Sequence, residues 1–213
     1  MDFVRARTEA QMQARQLDIM QACNSLFEQG GYDAVNIKAI SEMTSITRPS
    51  FYTYYKTKDE VLLDLLKTEL LFWKEELLEM IETISELSSE QFAETFTHML
   101  AAKDKMLHLY SLLFTSLEQN CRIEKLVDFK RSIMPTMMVF TEFLLKCMPW
   151  LTEDQAALLN TELITYVLGL YPMSHLTKKQ LDAVELSSTG YHSPEFEPLC
   201  KLGTVAFINA LRQ

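Results

Sequence analysis

Residues 26–66 read LFEQGGYDAVNIKAISEMTSITRPSFYTYYKTKDEVLLDLL, and the reading of this stretch decides the fold. Asn36 is placed to cap a short helix from Ile37 to about Met43. Thr44-Ser45-Ile46 then makes a turn. Thr47 caps a second short helix, 48–55, with Pro49 in its first turn, where an absent N–H costs nothing. Lys56-Thr57 breaks the chain again, and a long helix is expected from Lys58 to about Thr83. Upstream, Leu17, Met20, Ala22, Leu26 and Phe27 give one apolar face to a helix from about Ala14 to Gln29, which Gly30-Gly31 stops.

A helix followed by two short helices on a tight turn is a helix-turn-helix unit. The geometry needs an apolar pin in the turn, and Ile46 supplies it, facing Ile40, Ile37 and Phe51. It also needs polar, basic and aromatic groups on the outer face of the second helix. Arg48, Ser50, Thr53, Tyr54 and Tyr52 are available there. Lys38 and Lys58 stand at the starts of the flanking helices, whose outward N–H groups favour phosphate. Read without further context, a helix pair holding Tyr52, Tyr54 and Tyr55 also fits a plain core, although Tyr54 and Tyr55 are adjacent and only one can face inward.

Charge supports the outward reading. The 213 residues carry a formal net charge of −9, which taken whole argues against nucleic acid. Between Ala34 and Lys58, however, Lys38, Arg48, Lys56 and Lys58 stand against Glu42 alone. An acidic body with one basic patch is compatible with binding a polyanion through that patch. The remaining composition is 48% apolar and 23% charged with 5 Gly and 6 Pro, a folded chain with few turns and hence long helices.

The same stretch resembles the DNA-binding domain of the TetR family of bacterial transcriptional regulators. The resemblance rests on Leu26-Phe27, Gly31-Tyr32, Ile37-x-x-Ile40, the run from Ile46 to Tyr55, and Lys58-Asp59-Glu60-x-Leu62-Leu63. Ser45 and Ser41 stand where the family usually has Gly and Ala. The resemblance implies that Arg48, Pro49, Ser50 and Tyr52 lie near base edges in the major groove, with Arg48 reading guanine. It implies that Lys38, Thr47, Tyr54 and Lys58 hold phosphates, and that Phe51, Tyr55, Leu62 and Ile40 are core. Arg5, Arg7 and Arg15 are candidates for further backbone or minor-groove contacts.

Beyond Thr83 the sequence reads as helices over 89–103, 105–118, 122–147, 153–171, 178–187 and 195–212, with Pro135 kinking the third and Pro172 ending the fourth. Four Ser/Thr-x-x-Glu/Gln capping boxes, at Thr57, Ser88, Thr152 and Thr177, mark helix starts. The fold class expected is all-α, with a helix-turn-helix domain over 1–57 and a helical effector-binding and dimerisation domain over 58–213. Segment 153–171 is apolar nearly all round and so buried on two sides, Gly203, Ala206 and Ala210 give 195–212 a small-residue strip that permits close helix approach, and the family resemblance makes the two segments candidates for a homodimer interface under two-fold symmetry. The resemblance also implies an unidentified small-molecule effector. Its expected lining is Trp73, Phe92, Phe96, Met99, His108, Tyr110, Phe114, Met134, Met137, Met138 and Tyr166, although taken singly such apolar residues more often just fill a core and His108 fits a solvent-facing stripe.

Enzyme chemistry finds no support, since no nucleophile elbow, phosphate loop or acid–base pair stands out. His98, His108, His175 and His192 have no metal-ligand spacing, so neither metal nor cofactor is expected. Cys23, Cys121, Cys147 and Cys200 form no CxxC pair and suit a reducing, cytoplasmic setting, and the resemblance implies that the cell is bacterial. No membrane segment is expected. The function expected is a repressor released from a palindromic operator by its effector. The alternative is a helical ligand-binding or protein-interaction module that has lost operator binding.

Overall fold

The computed structural model describes the backbone of residues 2–212 and the side chains of residues 9–212. Every regular element among them is helical. The helices are α1 (Asp2–Ala34), α2 (Ile37–Met43), α3 (Arg48–Tyr54), α4 (Lys58–Thr83), α5 (Ser89–Ala101), α6 (Asp104–Ser111), α7 (Ile123–Cys147), α8 (Glu153–Ser174), α9 (Lys178–Ser187) and α10 (Phe196–Ala210). A π turn over Leu113–Leu117 and a 3₁₀ turn over Glu118–Asn120 join α6 to α7. The chain forms two compact units, one of residues 1–69 and 112–133, the other of residues 70–111 and 134–213. The boundary expected at 57/58 falls inside the first unit.

Within the first unit, α1 begins well before Ala14. The residues before Ala14 are mostly good helix formers and nothing stops them. The break at Gly30-Gly31 is present: Gly31 adopts φ 63°, ψ −156°, a region that only glycine occupies without strain. The buried face of α1 is Ile19, Ala22, Cys23 and Phe27, while Leu17 is exposed, a correction to the apolar face read from sequence. Leu17 and Ile19 lie two residues apart and therefore on opposite sides of the helix. Asn36 and Thr47 cap α2 and α3 as read, through Ala39 N and Ser50 N. Ile40, Ile46, Phe51, Tyr55 and Leu62 are buried, so Tyr55 is the inward member of the tyrosine pair and Tyr54 stays half exposed. Ser45 does not have positive φ, so the serine is accommodated without left-handed strain.

Three of the four capping boxes close reciprocally, at Ser88, Thr152 and Thr177. The one at Thr57 does not. Its hydroxyl caps Glu60 N at 3.2 Å, but the Glu60 carboxylate turns to Lys56 N at 2.7 Å and to Arg122.

The core of the second unit is a set of rings. Trp73 meets Phe140 at 5.1 Å, Phe140 stacks on Phe96 at 5.6 Å, and Phe96 stacks on Phe92 at 5.8 Å. The buried Asn160 satisfies its amide through Met137 O at 3.0 Å and Thr141 Oγ1 at 2.9 Å. α7 remains helical through Pro135. α8 continues through Pro172 to Ser174, so the proline sits in the last turn rather than ending the helix. The expected helix 105–118 instead divides into α6 and the π turn, which keeps Leu113 and Leu117 inward and leaves Phe114 exposed.

Candidate nucleic-acid interface

α3 shows a polar outer face because its apolar residues, Phe51 and the following Tyr55, are spaced to turn inward together. Arg48, Pro49, Ser50 and Thr53 are exposed, and Tyr52 is 46% exposed. Arg48 makes no hydrogen bond or ion pair among the described residues, so its guanidinium is free for a partner outside the chain. Thr47 is occupied at the helix start, giving its hydroxyl proton to Ser50 Oγ at 3.1 Å.

The cations gather around one cleft of about 440 Å³, lined by Asn36, Lys38, Arg48, Tyr52, Lys56 and Lys58 among others. Lys38 lies 3.8 Å from Glu42, and both side chains are 65% exposed. Such a pair holds its partners weakly. Lys58 is more committed: its ammonium donates to Tyr32 O at 2.8 Å and sits 3.6 Å from the centre of the Tyr32 ring. Lys56, a member of the basic patch, donates from its ammonium to Tyr52 O at 2.6 Å at the edge of the same cleft. Tyr54 faces a different hollow, with Gln11, Met12, Arg15 and Asp18. Arg15 hydrogen-bonds Ser45 Oγ and so fastens the turn. The side chains of Arg5 and Arg7 lie outside the described residues.

Behind α3, a charged network holds the start of α4. Glu60 is fully buried and accepts from Lys56 N, from Arg122 N at 3.2 Å, and from Arg122 Nε and Nη2 at 2.6 and 3.0 Å. Burial works to raise its carboxyl, but the Arg122 guanidinium and the two backbone N–H groups hold it below the ordinary value of 4.5. Tyr55 gives its hydroxyl proton to Asp64 at 2.9 Å, and Lys125 donates to the same carboxylate oxygen at 2.6 Å. Burial, with Asp64 beside it, pushes the Tyr55 phenol upward. Tyr32 donates to Asp59 at 2.8 Å and is pushed up to about 12, by burial first and that hydrogen bond second. Sequence reading missed this network because the links that close it, Glu60 to Arg122 and Asp64 to Lys125, join residues about sixty apart in the chain and carry no local signature.

The residues expected to line an effector pocket are dispersed. Trp73 and Phe96 are sealed in the ring core, and the Trp73 indole N–H points at Met99 Sδ, 3.3 Å away. Tyr110 is buried, and His108 packs 6.0 Å from Tyr171. Burial lowers the His108 imidazole from its ordinary value. Met137 is half-buried, whereas Met134 and Met138 are 60% and 66% exposed and Phe114 is 58% exposed. Tyr166 reaches across to α10 and donates to Leu199 O at 2.7 Å. Among the described residues, no group of His, Cys, Asp and Glu could hold a metal ion, and no helix is long and apolar enough to cross a membrane.

Comparisons with known proteins agree with this architecture. Residues 19–65 match the family described as bacterial regulatory proteins, tetR family. Residues 67–211 match the tetracyclin repressor-like C-terminal domain. No curated protein matched. Among solved structures, the fatty acid degradation regulator FadR from Bacillus halodurans is 15% identical with a TM-score of 0.54, over 92% of this chain and 98% of that one. A TetR-family transcriptional regulator from Mesorhizobium loti MAFF303099 is 14% identical with a TM-score of 0.51, over 94% and 96%. At such identities the likeness is one of fold, and the family rests on the two matched segments. With a helix-turn-helix at its start and a matching helical domain over the rest, the chain belongs to the TetR family of bacterial transcriptional regulators.

Proposed function

We propose that this regulator acts as a homodimeric repressor, placing α3 of each protomer into the major groove of a pseudo-palindromic operator. The observation that carries the reading is the exposed, unpartnered Arg48 at the start of a helix whose opposite face is buried. Arg48 reads base edges together with Pro49, Ser50 and Tyr52. Lys38, Thr47, Tyr54 and Lys58 fix register on phosphates, Lys58 after exchanging its bond to the Tyr32 carbonyl for one to DNA. Residues 1–57 carry operator recognition and residues 58–213 dimerisation and effector binding.

Dimerisation through α8 and α10 is supported by what those helices leave outside. Leu158 and Met173 of α8 are 50% and 54% exposed, and Leu202 of α10 is 66% exposed. Residues 155–174 contain one charged side chain, Glu162, and residues 198–211 one, Lys201. A charge-poor surface on two adjacent helices is an interaction surface. A two-fold dimer spaces its half-sites by one helical turn, about 34–36 Å. The effector is a small molecule that lowers operator affinity, with a coupling of about 1–3 kcal/mol as for other allosteric pairs. A bacterial cytoplasmic location follows from the DNA target.

Fluorescence anisotropy with DNA from the regulator's own promoter tests the reading. Arg48→Ala is expected to cost about 1–3 kcal/mol and to relax base preference at one position of each half-site. Lys38→Ala is expected to weaken all sequences alike and to flatten the salt dependence by about 0.9 per lost contact. Equal affinity of wild type and Arg48→Ala for every duplex would overturn operator reading and favour a ligand-binding module instead.

A further inference from the structure

Had α3 run on by one more turn, the Lys56 N–H would donate to the Tyr52 carbonyl four residues back. It goes instead to the Glu60 carboxylate at 2.7 Å, and α3 ends at Tyr54. That leaves the Tyr52 carbonyl without its helical partner. The Lys56 ammonium takes the vacant place, donating to Tyr52 O at 2.6 Å. The side chain therefore turns back onto the last turn of α3.

That turn puts a cation in the cleft beside α3. The charges lining the cleft are Lys38, Arg48, Lys56 and Lys58 against Asp59, which is buried and accepts from the Tyr32 hydroxyl. The cations are not equally available. Lys58 is half-buried and rests on Tyr32. Lys56 is exposed and spends one of its three N–H donors on Tyr52 O; the other two have no partner among the described residues. Cations gathered in one cleft repel one another, and a phosphate among them relieves that repulsion.

What seats Lys56 lies behind it. Arg122 donates from Nε to Glu60 Oε1 at 2.6 Å and from Nη2 to Oε2 at 3.0 Å, so both oxygens of the buried carboxylate are fixed. Oε2 is the atom that takes the Lys56 N–H. The next residue is held from the same side, since the Thr57 hydroxyl donates to Asn120 O at 3.0 Å. Arg122 itself does not line the cleft.

We infer that Lys56 is a further DNA-phosphate contact and that Arg122 is its positioning residue, acting through Glu60. Without the guanidinium the carboxylate is free to turn, the Lys56 N–H returns to the Tyr52 carbonyl, and the ammonium loses its seat in the cleft. The inference rests on the operator-binding reading and adds to it a cation past the end of α3, opposite the end that carries Arg48.

The test is an anisotropy titration of the full chain on promoter DNA and on an unrelated duplex, over about 50–200 mM salt. Lys56→Gln keeps the stem and removes the charge. It should weaken both duplexes about ten-fold and flatten the log–log salt slope by about 0.9 for each half-site. A lysine that only caps α3 would leave the slope at the wild-type value, which overturns the contact. Arg122→Gln should flatten the slope as Lys56→Gln does, and the double variant should bind no worse than either alone. A merely structural arginine would lower the melting temperature and leave the slope unmoved. If melting shows Arg122→Gln unfolded at the assay temperature, Arg122→Lys, which keeps a cation opposite Glu60, replaces it in the cycle and should flatten the slope by less. Additive losses, or a wild-type slope in the folded Arg122 variant, would overturn the positioning role. Lys38→Ala separates this inference from the reading beneath it. A slope flattened by Lys38→Ala and not by Lys56→Gln ends the inference and leaves operator binding standing; a slope flattened by neither ends both.

Discussion

Glu60 does the most at the scale of single residues. It is a carboxylate with no exposed surface, yet it serves four donors and ties the N–H after α3 to the residue just before α7. Glu60→Gln keeps the shape but turns an amide N–H₂ toward donors. The expected loss is about 1.5–3 kcal/mol in urea unfolding, the cost of charge-assisted bonds left unmade. Acid should act on the same point. Because the folded carboxyl titrates below its ordinary value, its stabilisation is full above about pH 4.5 and fades as the pH falls through the folded value. Wild type should therefore lose stability on acidification in that range, and Glu60→Gln should lose less. Equal acid sensitivity of the two would remove Glu60 from this role. Arg48, by contrast, was legible from sequence, because a basic residue before a proline at a helix start is placed by local rules alone.

Elements were read well where local chemistry fixes them. α2 and α4 begin and end where their caps and breakers stand, and α3 is shorter by one residue than its pattern suggested. The departures come from neighbours. The π turn after α6 keeps two leucines inward, and Pro172 is tolerated because it falls in a last turn. Helix packing also changes the meaning of small residues. Gly203 is part of a small-residue strip in the sequence, but in the fold it makes room for the Tyr166 ring: an added Cβ would lie 2.5 Å from the ring. The tyrosine cannot simply swing away without losing its bond to Leu199 O. Gly203→Ala should cost about 1–3 kcal/mol, as overpacking does, and thermal unfolding would register it. Gly169, on the outer side of α8, has nothing within 4 Å. At that position Ala should be tolerated or mildly stabilising in the isolated protomer. A melting temperature unmoved by Gly203→Ala would show that the ring yields.

The assembled molecule is where Gly169 acquires its second meaning. An arginine there meets open space in the protomer, but in the proposed dimer through α8 and α10 it would meet the partner. Sedimentation should therefore find the wild type as a dimer and Gly169→Arg as a folded monomer, with operator affinity falling because two half-sites are no longer read together. A dimeric Gly169→Arg protein would move the interface elsewhere.

By itself the sequence determined the helical class, the helix-turn-helix, the basic patch in an acidic chain, and which tyrosine-rich helix offers Arg48 outward. Each follows from periodicity, capping and charge within a few residues of one another, and local physics acts over that distance. Only the tertiary structure decided that Lys58 rests on Tyr32, that Glu60 and Arg122 meet, and that Trp73 and Phe96 seal a core. Those meetings join residues remote in the chain, and no pattern of spacing encodes which distant helices will pack together.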